Sequence, residues 1–328
     1  MKNISVIGAG AWGTTLAVLL AEKGLNVKLW AYEKEVAETI IQKRENNKYL
    51  PGFVIPSKIE ITSDLKTVCP ADIYIFAVPT QFLRKIAQQL KDSIDPKEII
   101  VCASKGIETG RLKLPLEILE EKIGINNLVA LSGPNLSKEI SKGLPAAAVV
   151  ASKSESIAKQ VQQVLMLNRF RVYLNKDPIG VQLGGALKNV IAIAAGITDG
   201  LNLGNNAKSG LLIRGIAEIT RLGIALGANP KTFAGLSGMG DLITTCSSQL
   251  SRNHHVGEQI AQGKKLKDIL SEMNAVAEGV ETTKAALALA KKHKVELPIA
   301  EEINAILFKG KDPYQSMTDL MTREAKAE

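Results

Sequence analysis

The chain has 328 residues, enough for about two domains and a sizeable buried core. It carries 41 Lys and Arg against 33 Asp and Glu, a formal charge of +8, with 45% hydrophobic, 23% charged and only 4% aromatic residues. Such a balance excludes a disordered chain, and so few aromatic side chains argue against a stacking surface for nucleic acid.

Short runs rich in Ile and Val at Ile4–Ile7, Val27–Ala31, Ile73–Val78, Ile99–Ala103 and Leu128–Ser132 predict buried strands. Helical segments such as Trp12–Lys23 and Thr80–Leu90 lie between them, which makes a βαβ series and hence a mostly parallel sheet covered on both faces. Two further strands, Ala146–Ala151 and Phe170–Leu174, close this half and can make the sheet mixed. At Asp177-Pro178 the pattern changes, with a good N-cap followed by proline at the first helical position. Beyond it the expected helices are Pro178–Ile197, Ala207–Leu226, His255–Gln262, Val280–His293, Pro298–Phe308 and one near Tyr314–Ala325. Residues 1–177 therefore read as an α/β, doubly wound dinucleotide-binding domain and residues 178–328 as an all-helical substrate domain.

The excess charge is diffuse, with 24 basic and 18 acidic residues before the joint and 17 and 15 after it. Cys69, Cys102 and Cys246 are widely spaced and form neither a disulfide framework nor a zinc motif, so a reducing compartment fits and no metal is expected. Lys2 and the apolar stretch to Ala21 look like a signal segment, but Gly8, Gly10 and Gly13 interrupt it and its period changes from strand to helix. No run reaches the ~18 apolar residues of a membrane span, so a cytoplasmic protein is expected.

Gly8-Ala9-Gly10-Ala11-Trp12-Gly13 follows the first strand and opens a helix, the order required for dinucleotide binding. Gly8 allows the tight turn, Gly10 lets backbone approach a pyrophosphate, and Gly13 lets helix and strand pack closely. The second strand ends in Tyr32-Glu33-Lys34. Glu33 suits the ribose 2′-hydroxyl of NAD and Lys34 leans towards the 2′-phosphate of NADP, so NAD or NADP is left open.

Gly184-Gly185-Ala186-Leu187-Lys188-Asn189 lies inside a predicted helix, where two glycines cost roughly 2 kcal/mol relative to alanine. Lys188 sits among small residues, either snorkelling to the surface or serving chemistry. A lysine ammonium stabilises the oxyanion formed when a ketone is reduced, and delivers its proton. Ser237-Gly238-Met239-Gly240-Asp241 reads as a flexible, backbone-exposing loop. Ser251-Arg252-Asn253 before a helix reads as a phosphate cradle, or as an ordinary cap with an exposed arginine. His254 and His255 lack partners at a spacing that would make a metal site. Lys105, in Ser104-Lys105-Gly106, and Gly133-Pro134-Asn135 follow strands on the side where open α/β sheets bind ligands.

Taken together, Gly8–Leu16 (GAGAWGTTL), Ser104-Lys105-Gly106, Ser132-Gly133-Pro134, Ala186–Val190 (ALKNV), Leu236–Cys246 (LSGMGDLITTC) and Ser251-Arg252-Asn253 resemble bacterial-type NAD(P)-dependent glycerol-3-phosphate dehydrogenases over essentially the whole chain. The resemblance implies a Rossmann-type sheet domain followed by an all-α domain of the 6-phosphogluconate-dehydrogenase-like kind. It also implies reversible reduction of dihydroxyacetone phosphate to glycerol 3-phosphate for phospholipid synthesis, by a homodimer. Lys188 is then the general acid/base. Substrate contacts fall on Lys105, Gly133, Asn135, Lys188, Asp241, Ser251, Arg252 and Asn253. Nucleotide contacts fall on Ala11, Trp12, Tyr32, Glu33, Lys105, Ser137, Arg252, Val276 and Glu278. Members often carry Arg or His near Tyr32 and Glu33, Ser in place of Ala11 and Ala in place of Ser137. A related 3-hydroxyacid or 6-phosphogluconate-type dehydrogenase, or a non-catalytic nucleotide sensor, are the alternatives.

Overall fold

The strand pattern comes out as ten strands in the computed structural model, which describes residues 2–324. They are β1 (Asn3–Ile7), β2 (Asn26–Trp30), β3 (Glu45–Asn46), β4 (Leu50–Val54), β5 (Glu60–Thr62), β6 (Ile73–Phe76), β7 (Ile99–Cys102), β8 (Leu128–Ser132), β9 (Ala146–Ala151) and β10 (Phe170–Asn175). Eight of them form one sheet in the order β10-β9-β8-β7-β6-β1-β2-β5, and β3 and β4 pair as a separate hairpin. All neighbours in the large sheet are parallel except β8 and β9, so the sheet is mixed.

The chain winds outward from β1 through β2 to β5, then restarts on the other side at β6. That reversal opens a crevice at the carboxyl ends of β1 and β6, where open α/β sheets take their ligands. Strands β6, β7 and β8 are buried at every position because helices cover both faces. Successive side chains feed two cores: Ile73 and Ile75 on one face, Tyr74 and Phe76 on the other. β5 and the β3–β4 hairpin were not foreseen: β3 and β5 are two and three residues long and partly polar, and β4 is interrupted by Pro51 and Gly52 and largely exposed.

After Asn175 the described residues contain no strand. Asp177 caps the helix Pro178–Gly200, accepting from Gly180 N at 2.9 Å, and its other oxygen accepts from Asn229 N and Thr232 Oγ1. This helix is long and apolar enough on composition to cross a membrane, but its most apolar window is 94% buried inside the protein. It is the axis of the helical half, surrounded by helices Gly204–Ala225, Arg252–Ala261, Glu278–His293 and Pro298–Lys309. Glycine lets the long helix and the helix Arg252–Ala261 touch backbone to backbone. A Cβ on Gly196 would lie 1.9 Å from His254 O, and one on Gly257 would lie 2.1 Å from Ile193 O.

Residues 237–241 are not the flexible loop expected. Leu236–Gly240 is a π-helical turn running straight into the helix Asp241–Ser247, with Ser237 and Asp241 both 1% exposed. The glycines that read as flexibility serve close approach instead. A Cβ on Gly238 would meet Phe233 O at 2.2 Å, and one on Gly184 of the long helix would meet Ser237 O at 2.4 Å. The expected helix His255–Gln262 starts earlier, at Arg252, and the last helix is Pro313–Met321, with Ala325 outside the described residues.

Candidate active site

The glycine loop is built for an anion. Gly8 has φ +117°, and a Cβ there would lie 2.8 Å from Ala77 O, so β6 presses against the turn. A Cβ on Gly13 would lie 1.9 Å from Gly8 O, whereas nothing lies within 4 Å of one on Gly10. Gly8 N donates to Trp30 O at 3.0 Å, tying the turn to the end of β2. The helix Ala11–Glu22 starts with no side-chain cap and no acid in its first turn, so no protein side chain claims its first N–H groups. Trp12 Nε1 is a buried donor with no protein partner. Ser137 opens the short helix Ser137–Ser141, which lies against Ala11–Glu22 with Thr15 Oγ1 and Ser141 Oγ 3.1 Å apart. The residues present therefore fit a dinucleotide pyrophosphate.

The centre of the cleft is one carboxylate shared by two lysines. Lys188 Nζ lies 2.8 Å from Asp241 Oδ1, and Lys105 Nζ lies 2.7 Å from Asp241 Oδ2. Lys105 also donates to Gly133 O at 2.9 Å, and Lys188 donates to Thr245 Oγ1. Thr245, one helical turn after Asp241, in turn donates to Asp241 Oδ1 at 3.3 Å. Lys188 is 7% exposed and Asp241 1%, so this triad is largely out of water. Burial pushes the Lys105 ammonium down to about 8; Asp241 opposes that shift and the Lys188 charge adds to it.

Neighbours hold the triad in place. Asn189 Nδ2 donates to Lys105 O at 3.1 Å. The mid-helix glycine at 185 lets the sheet domain approach, since a Cβ there would meet Ser132 Oγ at 2.6 Å. Gly133 has φ +133° and abuts the backbone of Ala147 and Ala148. Asn135 Nδ2 donates to Ala147 O at 3.0 Å, and its buried Oδ1 has no protein partner.

Ser251, Arg252 and Asn253 open the helix Arg252–Ala261. Two of the three are already engaged: Ser251 Oγ accepts from His254 N at 3.2 Å, and Asn253 Oδ1 accepts from Gly279 N at 3.0 Å. Arg252 remains reachable from solvent. Surrounding protein holds its pKa below the ordinary arginine value, with Glu278 pulling the other way. Glu278 Oε1 accepts from Thr80 N at 2.8 Å, so the helical half caps a helix of the sheet half at the carboxyl end of β6. Burial raises its carboxyl, and the Thr80 N–H opposes the shift. Val276 lies just before it, 43% exposed, and Tyr32 stands 71% exposed at the other end of the cleft. His254 is buried on Asp199, Nε2 to Oδ2 at 2.7 Å, and the described residues hold no group of metal ligands.

Thr245, Asn189, Asn46 and Tyr49 were not singled out from sequence. Thr245 and Asn189 carry a signal after the fact, at i+4 from Asp241 and next to Lys188. Asn46 carries none: its Nδ2 reaches Ala9 O at 2.8 Å and Thr14 Oγ1 at 2.9 Å across a long stretch of chain.

A switch-point crevice with an open anion turn, facing a buried Lys–Asp–Lys triad, defines a dinucleotide-dependent oxidoreductase. Residues 3–158 match the family model for the NAD-dependent glycerol-3-phosphate dehydrogenase N-terminus, and residues 177–318 match the one for its C-terminus. The chain belongs to that family. It is 48% identical over 327 residues to glycerol-3-phosphate dehydrogenase [NAD(P)+] of Thermoanaerobacter sp., covering 99% of this chain and 98% of that one. The crystal structure of glycerol-3-phosphate dehydrogenase from Coxiella burnetii is 36% identical, with TM-score 0.94 over 98% of this chain and 99% of that one. The structure of the enzyme from Saccharomyces cerevisiae is 30% identical, with TM-score 0.83 over 98% and 99%. A D-mandelate dehydrogenase, 12% identical with TM-score 0.60 over 98% of this chain and 100% of that one, shares the fold alone. The chain is an NAD(P)-dependent oxidoreductase that interconverts dihydroxyacetone phosphate and glycerol 3-phosphate.

Proposed function

We propose that Lys188, Asp241 and Lys105 form the reacting centre, that Arg252 and the start of its helix receive the substrate phosphate, and that the product feeds glycerophospholipid synthesis. The observation that carries this reading is the single buried carboxylate between two ammonium groups. Bound NAD(P)H supplies the hydride for C2 of the substrate. Lys188 Nζ gives its proton to the carbonyl oxygen as charge develops there and takes it back in the reverse direction. Asp241 fixes both lysines so that neither has to reorganise, and Lys105 adds a second positive charge beside the oxyanion. The unpartnered Oδ1 of Asn135, next to Gly133, supports a role in accepting from a substrate hydroxyl. The Arg252 guanidinium suits two phosphate oxygens, with Ser251 and Asn253 holding the turn that presents it.

Gly8, Gly10, Ala11, Trp12 and Gly13 would hold the nucleotide's pyrophosphate, Tyr32 and Glu33 its adenosine end, and Ser137, Lys105, Arg252, Val276 and Glu278 would contact the rest of it. Replacement Lys188→Ala is expected to lower kcat by at least ~100-fold while changing nucleotide affinity, followed by fluorescence titration, by no more than about twofold. Turnover retained in that variant would remove Lys188 from the chemistry. The same reading makes the protein a cytoplasmic homodimer. Ile213 and Ile224, 50% and 53% exposed on the helix Gly204–Ala225, offer apolar surface for a second copy, and sedimentation equilibrium tests it.

A further inference from the structure

The choice between NAD and NADP turns on what meets the adenosine 2′ position, and there the structure shows a device that no motif records. Glu33 follows β2 and stands at the N-cap position of the helix Lys34–Lys43, its side chain making no capping bond. Its Oε1 accepts from Tyr49 Oη at 2.5 Å and from Lys48 Nζ at 3.2 Å, and its own backbone N–H also bonds the carboxylate, which leaves Oε2 without a side-chain donor among the described residues. Tyr49 and Lys48 belong to the β3–β4 hairpin, and Tyr49 N donates to Asn46 Oδ1 at 3.2 Å. Asn46 is in turn fastened to the glycine loop through Ala9 O and Thr14 Oγ1. The orientation of Glu33 is thus fixed from the turn that cradles the pyrophosphate.

We propose that Tyr49 and Lys48 are specificity-determining residues, which lock Glu33 so that Oε2 accepts from the 2′-hydroxyl of NAD(H) and turns away the 2′-phosphate of NADP(H). A lone glutamate can rotate aside for a phosphate; one anchored through Oε1 cannot do so without losing two hydrogen bonds, one from a cation. Partial burial pushes the Glu33 carboxyl up, but the hydrogen bonds from Tyr49, Lys48 and its own backbone N–H, with the Lys48 charge, outweigh it and the net shift is downward, so the group stays ionised. The basic residues nearby are spent or diluted. Lys34 pairs with Glu38 at 3.7 Å, and the Arg44 guanidinium donates to Ile59 O at 3.1 Å. The cavity beside Glu33 sets Lys43 and Lys48 against Glu33 and Glu35, with no arginine in its wall to fork onto a phosphate.

This inference rests on the dinucleotide reading above, and calorimetry on the protein without substrate separates the two. The probes are ADP-ribose and its 2′-phosphorylated form. The wild type is expected to bind ADP-ribose at least about tenfold more tightly. Tyr49→Phe and Lys48→Ala should each shrink that ratio at least about threefold, and Glu33→Gln should bring it near unity. Lys48 is 43% exposed, so its variant keeps the test open should Tyr49→Phe fail to fold. Equal or tighter binding of the phosphorylated probe by the wild type would overturn the proposal, as would an unchanged ratio in both hairpin variants. Loss of the phosphorylated probe alone in Lys48→Ala would make Lys48 a phosphate contact and also overturn it. Failure of both probes to bind would take the dinucleotide reading down with it.

Discussion

Two ammonium groups lie within hydrogen-bond distance of one buried carboxylate, and burial brings that of Lys105 down to about 8. A basic group shifted down is charged below that pH and neutral above it, so a reduction needing both positive charges loses one as pH rises through this value. The kcat/KM for reduction is therefore expected to fall roughly tenfold per pH unit above about 8. In Lys105→Arg, whose guanidinium stays charged, that limb should disappear from the pH profile. A limb unchanged in the variant would assign it to another group. Arg252 is exposed to solvent although its guanidinium is partly surrounded by protein, and it makes no protein ion pair among the described residues. Its replacement by Ala should raise KM for dihydroxyacetone phosphate by at least ~10-fold, the loss of a charge-assisted contact, with kcat much less affected. An unchanged KM would move the phosphate elsewhere.

At the scale of elements, the long helix Pro178–Gly200 does three jobs that its glycines make possible. Gly184 admits the π-helical turn, Gly185 admits the sheet domain at Ser132, and Gly196 admits the helix carrying Arg252. Adding one methyl at Gly196, where it would meet His254 O at 1.9 Å, must push the Arg252 helix outward. Overpacking of this kind costs about 1–3 kcal/mol, so Gly196→Ala should lower Tm by several degrees and weaken phosphate binding together. A variant with both quantities unchanged would show that the contact is not tight. The parallel strands were legible because burial on both faces leaves near-continuous apolar runs, and the helix start at Asp177-Pro178 because a cap and a proline mark it. The π-helical turn at 236–240 was misread because glycine looks the same in sequence whether it supplies flexibility or close approach. β5 and the β3–β4 hairpin carry no periodic signal, since contacts from distant segments, such as Asn46 on Ala9 O, decide their pairing. Of the proposed site, Lys188, Asp241, Lys105 and Arg252 were all named from sequence, and the structure brings the first three together. That Asp241 serves both lysines, and that Glu33 is tied to Tyr49, depends on side-chain directions that spacing does not carry.

For the molecule as a whole, the charge of +8 explains little by itself. Lys105 comes from the sheet half, Lys188 and Arg252 from the helical half, and Glu278 on Thr80 N joins the two across the cleft. The remaining excess is surface charge that at most steers anionic ligands inward. If the cleft is the site proposed, it recognises a small ketone carrying a phosphate, and the phosphate should matter as much as the ketone. The most direct measurement follows the nicotinamide absorbance of NADH or NADPH with the purified protein, adding dihydroxyacetone phosphate in one cuvette and dihydroxyacetone in another. Rapid loss of absorbance with the phosphorylated ketone, and a rate at least ~100-fold lower without the phosphate, is the expected result. No loss with either cofactor, or equal rates with both ketones, would contradict the site described above.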